Sequence, residues 1–429
     1  MLEKTRYLLP ELITGLADAM DLVSPALTGH HKRVARMAGA LASELGLSDK
    51  ERYTIVSAGL LHDSGALSLH EKLGALRFES DFAPTGTSSH AYMGYVLLRR
   101  FDVFSEVANV VRHHHLWWER AAESCPNEEL ALTANLLHLA DRIDVLIDRQ
   151  QEILGQVPAI MERIEKQSGR MFAPSHVDVL RAVSRKESFW LDIVSPCLPS
   201  LVDSSLEGWN HGLTNDELLS LAKVFSTIID FRSRFTATHS AGVSSSAVSL
   251  AKLRGLSPLE CRAMRLAGYL HDLGKLAVPS EILEKPDKLT NTEFAVIRSH
   301  TYYTYRVLEK ISGLETVNEW ASFHHERLNG DGYPFHRSGD TLSLGSRIMA
   351  VADVLTAITE DRPYRAGMPP EKAMGILTSM AESGVLDRSI VALARENFDE
   401  VNQARALAQS TALEEFESYA ENTGEFQVD

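Results

Sequence analysis

The sequence predicts an all-α protein built as two similar helical halves. Apolar residues recur at helical spacing along almost the whole chain, and alternating strand-like runs are scarce. Helix-start signals punctuate the pattern, and the chain matches itself when displaced by about 210 residues. Taken in order, Leu9, Ile13, Leu16 and Met20 line one face of a first helix. Ser48 followed by Glu51 gives a later helix a hydroxyl N-cap with a carboxylate at the third helical position. Leu218, Leu221, Val224 and Ile228 repeat the one-sided stripe in the second half. Ser257-Pro258 with Glu260, and Thr290 with Glu293, repeat the capping signal.

At 429 residues the chain exceeds the usual size of a single core, so two domains are expected, each able to bury its own apolar residues. The cysteines Cys125, Cys197 and Cys261 lack the paired spacing of a zinc ribbon or a disulfide framework, which fits inert thiols in a reducing compartment. No basic segment followed by an apolar core opens the chain, and no apolar run reaches the roughly 18 residues of a membrane span. A cytoplasmic protein with no membrane partner is therefore expected. A net charge of -15 argues against duplex nucleic acid as a partner, because binding it requires a positive face that releases counterions. A small anion remains compatible where cations gather locally.

Ligand-type residues mark the repeat. His30 pairs with His239, and His62-Asp63 with His271-Asp272, at an offset of 209. His90, His114 and His115 pair with His300, His324 and His325 at 210, and Asp141 with Asp353 at 212. Leu45-Gly46-Leu47-Ser48 precedes the first His-Asp pair much as Arg254-Gly255-Leu256-Ser257 precedes the second, and Arg170 to Val183 resembles Glu382 to Arg395. The polar stretch from Leu201 to His211, with Gly208 inside it and Gly212 after it, marks the junction. The expected domains are residues 1–200 and 214–429, joined by a linker over 201–213.

Each half offers five histidines and two aspartates without cysteine, a nitrogen and oxygen donor set that suits manganese or iron better than structural zinc. Seven ligands are enough for two ions. At His271-Asp272 the imidazole can hold one ion while the neighbouring carboxylate, on the same helical turn, reaches a second. His239, His300, His324, His325 and Asp353 complete that set. His30, His62, Asp63, His90, His114, His115 and Asp141 form a second metal site in the first half. Two ions roughly 3.5–4 Å apart can share a hydroxide whose pKa is brought toward neutrality, which allows attack on a phosphodiester without a protein nucleophile. His31 and His113 have no partners across the repeat and are assigned to packing or solvent.

The runs HDLGK, His271 to Lys275, and HHERLNGDGYP, His324 to Pro334, stand with Thr238-His239-Ser240, Asp353-Val354 and Arg362-Pro363-Tyr364-Arg365. Through them the second half resembles the HD-GYP phosphodiesterases, a branch of the HD superfamily that cleaves cyclic dinucleotides. The resemblance covers Leu213 to about Phe398. It implies helical HD-type bundles in tandem, each around a metal centre, with His239, His271, Asp272, His300, His324, His325 and Asp353 as ligands. The implied substrate is cyclic di-GMP or 3′,3′-cyclic GMP-AMP, opened to the linear dinucleotide. Lys275 corresponds to the family lysine that contacts the scissile phosphate, where a compact cation stabilises the charge of the transition state. Asp272 and Lys275 are thus the expected catalytic residues, and Arg362 and Arg365 resemble the positions that hold substrate phosphate and guanine. Gly330-Asp331-Gly332-Tyr333-Pro334 has the composition of a rigid tight turn, and Tyr333 is assigned no chemical role.

The chain also departs from the family pattern. Members that hold a third metal carry a glutamate four residues before the first ligand histidine, and here that position is Phe235. A two-metal centre is therefore expected, with a reaction that stops at the linear dinucleotide. The acidic residue usual further upstream is Ser233, which leaves base preference open. In the first half Ala66 replaces the lysine, Leu116-Trp117-Trp118 follows the double histidine, and nothing like Arg-Pro-Tyr-Arg follows Asp141. This implies a metal-binding HD domain, catalytically weak, that regulates or braces the second, with Trp117 and Trp118 used for packing. The acidic run from Glu414 to Glu417, with Glu421 and Glu425, reads as a solvated end. A metal-containing receptor that binds cyclic dinucleotide without hydrolysing it is the competing reading. Nucleotide hydrolysis or iron-dependent oxidation in the first half is another, and a homo-oligomer is compatible with all of them.

Overall fold

Short antiparallel pairing joins the start of the chain to its middle: β1 (Tyr7–Leu8) lies against β2 (Gly212–Leu213), with Tyr7 opposite Leu213 and Leu8 opposite Gly212. The structure is a computed structural model that describes residues 7–22, 28–66, 89–195, 212–230, 238–285, 287–361 and 366–423. It divides into two units, Leu9–His211 and a second that joins Met1–Leu8 to Gly212–Asp429. The division differs from the expected 1–200 and 214–429 at the N-terminus, where pairing to β2 places Tyr7 and Leu8 with the second unit.

Helices make up nearly all the rest. In the first unit they are α1 (Leu9–Asp21), α2 (His30–Glu44), α3 (Asp49–Leu61), α4 (Ser89–Leu98), α5 (Ser105–His113), α6 (Trp118–Ser124), α7 (Glu128–Leu146), α8 (Ile153–Glu165), α9 (Pro174–Val183) and α10 (Glu187–Val194). The second unit has α11 (Asn215–Asp230), α12 (His239–Leu253), α13 (Pro258–Leu270), α14 (Ser280–Leu283), α15 (Asn291–Leu308), α16 (Glu315–Ser322), α17 (Leu344–Thr359), α18 (Pro370–Glu382), α19 (Arg388–Glu396) and α20 (Phe398–Thr423). The all-α expectation holds. Leu9, Ile13, Leu16 and Met20 of α1, and Leu218, Leu221, Val224 and Ile228 of α11, are all buried. The three capping boxes form as read, at Ser48, Ser257 and Thr290.

The two units use the same packing. α2 runs along α3 and meets α7, as α12 runs along α13 and meets α17. A shared close approach sets the spacing: a Cβ on Gly59 would lie 2.7 Å from the Ala35 Cα, and one on Gly268 would lie 2.4 Å from the Ser244 Cα. After the His-Asp pair the backbone comes closer still. A Cβ on Gly65 would lie 2.2 Å from the His90 carbonyl oxygen, and one on Gly274 would lie 1.9 Å from that of His300. The Gly274 amide donates to Thr304 Oγ1 at 2.9 Å, and that hydroxyl donates to the His271 carbonyl at 3.1 Å. The turn carrying His271 and Asp272 is thereby fastened to α15, which carries His300.

Gly274→Ala is expected to force this turn away from α15 and destabilise the second unit by about 1–3 kcal/mol, the range for overpacking a tight site. The urea midpoint of the metal-stripped protein measures it, and an unchanged midpoint would show that the turn can move without cost.

Candidate metal centre

Seven side chains converge in the second unit. His239 is the first residue of α12, His271 and Asp272 follow α13, His300 lies on α15, His324 and His325 follow α16, and Asp353 lies on α17. The His-Asp pair does not sit within a helical turn as expected; α13 stops at Leu270 and a 3₁₀ turn begins at Leu273. His271 Nε2 is 3.1 Å from Asp272 Oδ2, and His300 Nε2 is 3.4 Å from Asp272 Oδ1. His239 Nε2 is 3.2 Å from Asp353 Oδ1, and His325 Nδ1 is 3.9 Å from Asp353 Oδ2. Three overlapping groups have the compactness of metal sites: His271, Asp272 and His324; His239, His271 and Asp353; and His300, His324 and His325.

Hydrogen bonding decides which ring nitrogens are free. The Nδ1–H of His271 donates to the Gly268 carbonyl at 2.8 Å, that of His300 to Ile297 at 2.6 Å, and that of His324 to Ala321 at 2.6 Å. A carbonyl can only accept, so each Nδ1 carries the proton and each Nε2 presents a lone pair. For His271 and His324 the carbonyl belongs to the last turn of a helix, which leaves it without an intrahelical donor. His300 Nε2 and His324 Nε2 nevertheless face each other at 3.4 Å, and His271 Nε2 is buried without a hydrogen-bond partner. Burial keeps the His300 and His324 rings neutral, lowering His300 to about 3 and His324 well below its usual range. Facing lone pairs repel unless a cation lies among them, so the donor set fits divalent metal.

Lys275 and the loop after His325 form the accessible edge. Lys275 Nζ is 2.6 Å from Asp272 Oδ2 with 20 % of its side chain exposed, and the His325 side chain is 32 % exposed. Burial opposes the charge of Asp272, yet His271, Lys275 and His300 hold its carboxyl well below the usual range. The Tyr333 ring lies 5.0 Å from that of His325, and the Arg298 guanidinium lies 5.1 Å over Tyr333. Burial, then Asp353 and Asp272, push the Tyr333 phenol upward, so it stays protonated. Buried Glu326 accepts the amides of Phe335 at 2.7 Å and Arg337 at 2.9 Å, which orders the loop as expected of a tight turn. Arg362, Arg365, Phe235 and Ser233 lie outside the described residues.

The first unit assembles the matching residues. His30 opens α2, His62 and Asp63 follow α3, His90 lies on α4, His114 and His115 follow α5, and Asp141 lies on α7. His62 and His114 donate their Nδ1–H to the carbonyls of Gly59 and Val111, three residues back, as in the second unit. His30 Nε2 lies 3.2 Å from His62 Nε2 and 3.6 Å from Asp141 Oδ1. Asp63 belongs both to a group with His30 and His62 and to one with His90, His114 and His115. None of the seven exceeds 4 % exposure, and Ala66, where the second unit has Lys275, is buried at 3 %. Arg142 Nη2 pairs with Asp141 Oδ2 at 2.6 Å, where the second unit has Val354. Trp118 packs against Leu116, Ala121 and Ala131 in its own unit, and Arg170 covers Trp117 at 5.0 Å.

Several contributors escape the sequence reading. Buried His31 is a packing residue, its Nδ1 2.5 Å from Asp21 Oδ1, while Asp230 accepts from Ser240 Oγ at 2.8 Å. Asp21 and Asp230 share the 209-residue offset, so the repeat carried that signal. Burial pushes the Asp230 carboxyl up to about 7, against the Ser240 hydrogen bond. Asp144 and Glu360, which receive the Nδ1 of His30 at 2.7 Å and of His239 at 3.1 Å, occupy unmatched positions and left no such trace.

Comparison with known proteins agrees with this doubled architecture. HD domain models match residues 27–146 and 223–390. The chain is 31% identical over 394 residues to a 3′3′-cGAMP-specific phosphodiesterase 1 of Vibrio cholerae, covering 87% of this chain and 88% of that protein. It is 26% identical to phosphodiesterase 3 of that name and organism, over 90% and 94% of the two chains. A cyclic di-GMP phosphodiesterase of Pseudomonas aeruginosa is 40% identical over 160 residues, 37% of each chain. The crystal structure of a Vibrio cholerae cyclic GMP-AMP specific phosphodiesterase, V-cGAP3, shares the fold with a TM-score of 0.63 and 24% identity, covering 96% of this chain and 98% of that one. Among the described residues no helix is long and apolar enough to cross a membrane.

Manganese added to chelator-stripped protein is expected to raise the melting temperature, by an amount that corresponds to about 2.7 kcal/mol when free metal is a hundredfold above Kd. His324→Ala is expected to lower the metal retained after desalting. Equal melting curves with and without metal, and no retained metal, would rule out the centre.

Proposed function

Because the chain belongs to the HD-GYP family of cyclic dinucleotide phosphodiesterases, we propose that its second unit carries the hydrolytic centre and its first unit a closed, regulatory metal site. The observation that carries this is a contrast between matched positions. In the second unit a lysine stands beside Asp272 at an accessible edge; in the first the same position is a buried alanine. Both ligand sets fit metal, but only one combines it with a cation that can meet a phosphodiester.

His239, His271, Asp272, His300, His324, His325 and Asp353 would hold two divalent ions, with iron or manganese favoured by the nitrogen and oxygen donors. Such ions supply Lewis acidity to a phosphate oxygen and acidity to a coordinated water. The protein's own contribution is placement and charge. Asp272 lies between the two His groups, and Lys275 stands where negative charge grows on the phosphoryl oxygens. Arg298, over Tyr333, adds a second cation near His325 at the same edge. Arg362 and Arg365, in the segment after Asp361, are proposed to hold the rest of the substrate.

The choice of substrate draws on coverage. Relatives named for 3′3′-cGAMP match across both units, whereas the Pseudomonas enzyme named for cyclic di-GMP matches 37% of the chain. We therefore take 3′,3′-cyclic GMP-AMP as the first substrate to test and cyclic di-GMP as the second. With phenylalanine at position 235, the product proposed is the linear dinucleotide.

Metal-loaded protein is expected to convert cyclic dinucleotide to its linear form, followed by chromatography. Asp272→Ala should abolish turnover, Lys275→Ala should lower kcat by about 10²–10³-fold, the cost of removing one charge-stabilising donor, and Asp63→Ala should only modulate it. Binding of both substrates without turnover would instead establish a receptor, and mononucleotide without linear intermediate would overturn the product assignment.

A further inference from the structure

The first histidine of each set cannot use the device that orients five of the others. His62, His114, His271, His300 and His324 each donate Nδ1–H to a carbonyl three residues back in their own helix. His30 and His239 are the first residues of α2 and α12, so no helical carbonyl stands three residues behind them. Each recruits a carboxylate from elsewhere. His30 Nδ1 meets Asp144 Oδ2 at 2.7 Å, and His239 Nδ1 meets Glu360 Oε2 at 3.1 Å.

The two carboxylates come from different places. Asp144 lies three residues after Asp141 on α7 and is gripped by Arg33, with Nε at 2.5 Å from Oδ1 and Nη2 at 2.9 Å from Oδ2. Glu360 lies seven residues after Asp353, at the C-cap of α17. Its Oε2 also accepts from Gln409 Nε2 at 3.1 Å, and Gln409 in turn takes a hydrogen bond from Arg405. Glu360, Arg405 and Gln409 are 3 %, 7 % and 9 % exposed. Gln409 and Arg405 belong to α20, which packs along α12, so the C-terminal helix reaches the metal ligand through one buried hydrogen-bonded chain.

We propose that Glu360 is a positioning residue for His239, and that Gln409 on α20 holds it in place. The inference rests on the reading of the second unit as a metal centre. Accepting from Nδ1 leaves the His239 Nε2 lone pair directed at Asp353 and the centre, and the carboxylate makes the ring a stronger donor. The first unit meets the same need within its own α2 and α7; the second depends on a helix that otherwise lies outside the ligand-bearing elements.

The test uses the full chain carrying Asp63→Ala, so that the second centre is read alone, with Mn2+ as the probe and free ion followed by electron paramagnetic resonance. Glu360→Gln keeps size and an acceptor but removes the charge, and Glu360→Ala removes both. Mn2+ affinity is expected to fall about 10–100-fold in Glu360→Ala, less in Glu360→Gln, and several-fold in Gln409→Leu. The urea midpoint without metal should stay unchanged in Glu360→Gln, and KM for cyclic dinucleotide should stay unchanged when metal is saturating. Wild-type affinity in Glu360→Ala, or a Glu360→Gln loss seen only in the metal-free midpoint, would overturn the role of Glu360. Wild-type affinity in Gln409→Leu would overturn the link to α20. If the parent chain itself binds no Mn2+, the reading of the centre fails rather than the positioning of His239.

Discussion

The molecule is organised around nitrogen lone pairs that have been made to face one another. His62, His114, His271 and His324, each at the end of a helix, have the Nδ1–H committed to a carbonyl of that helix, and what remains is an Nε2 aimed inward. In water these nitrogens would be hydrated; buried together at 3.2–3.4 Å they have nothing to accept from. Such an arrangement costs free energy in the folded protein unless a cation is present, so folding and metal binding are thermodynamically linked. The surrounding features serve that arrangement. Glycines at matched positions let the His-Asp turn lie against the next histidine helix, and the threonine hydroxyl at 304 locks it there.

The chain holds two such cages, and they differ mainly at their edges. In the second unit one ligand and one lysine reach the surface beside a loop ordered by Glu326. In the first, Ala66 replaces the lysine, the counterpart of the exposed histidine is buried His115 followed by tryptophans that pack locally, and Arg142 pairs with Asp141 from the next position in the chain. A closed cage with all seven donors present is what the regulatory role proposed for the first unit rests on. The contrast lies between a donor set with an accessible edge and one that is closed on all the sides described.

Much of this was legible without coordinates because ligands, caps and apolar stripes repeat with fixed periods. The seven side chains that converge in each half were readable from offsets alone, and the capping boxes at Ser48, Ser257 and Thr290 from local chemistry. Two kinds of residue were not. Asp21 and Asp230 obey the repeat but differ in the partner they hold, His31 in one case and Ser240 in the other, so neither stands out as a motif. Asp144 and Glu360 share a task without sharing a position, because each is recruited by geometry after the helices pack. The His-Asp pair also proved to end its helix rather than lie within it, and it is this helix end that supplies the carbonyl for His271.

The two-residue pairing of β1 with β2 bears on how the chain comes to be assembled. Leu8 and Gly212 are neighbours in one sheet, so the chain leaves the second unit at its first described residues and returns to it some two hundred residues later. During synthesis Tyr7 and Leu8 emerge early and have no partner until Gly212 and Leu213 follow, by which time all of the first unit has been made. The first unit is in this sense an insertion whose ends are clasped together. Its folding shortens the distance over which the clasp must close, and lowers the loop-closure entropy that such a remote contact would otherwise demand.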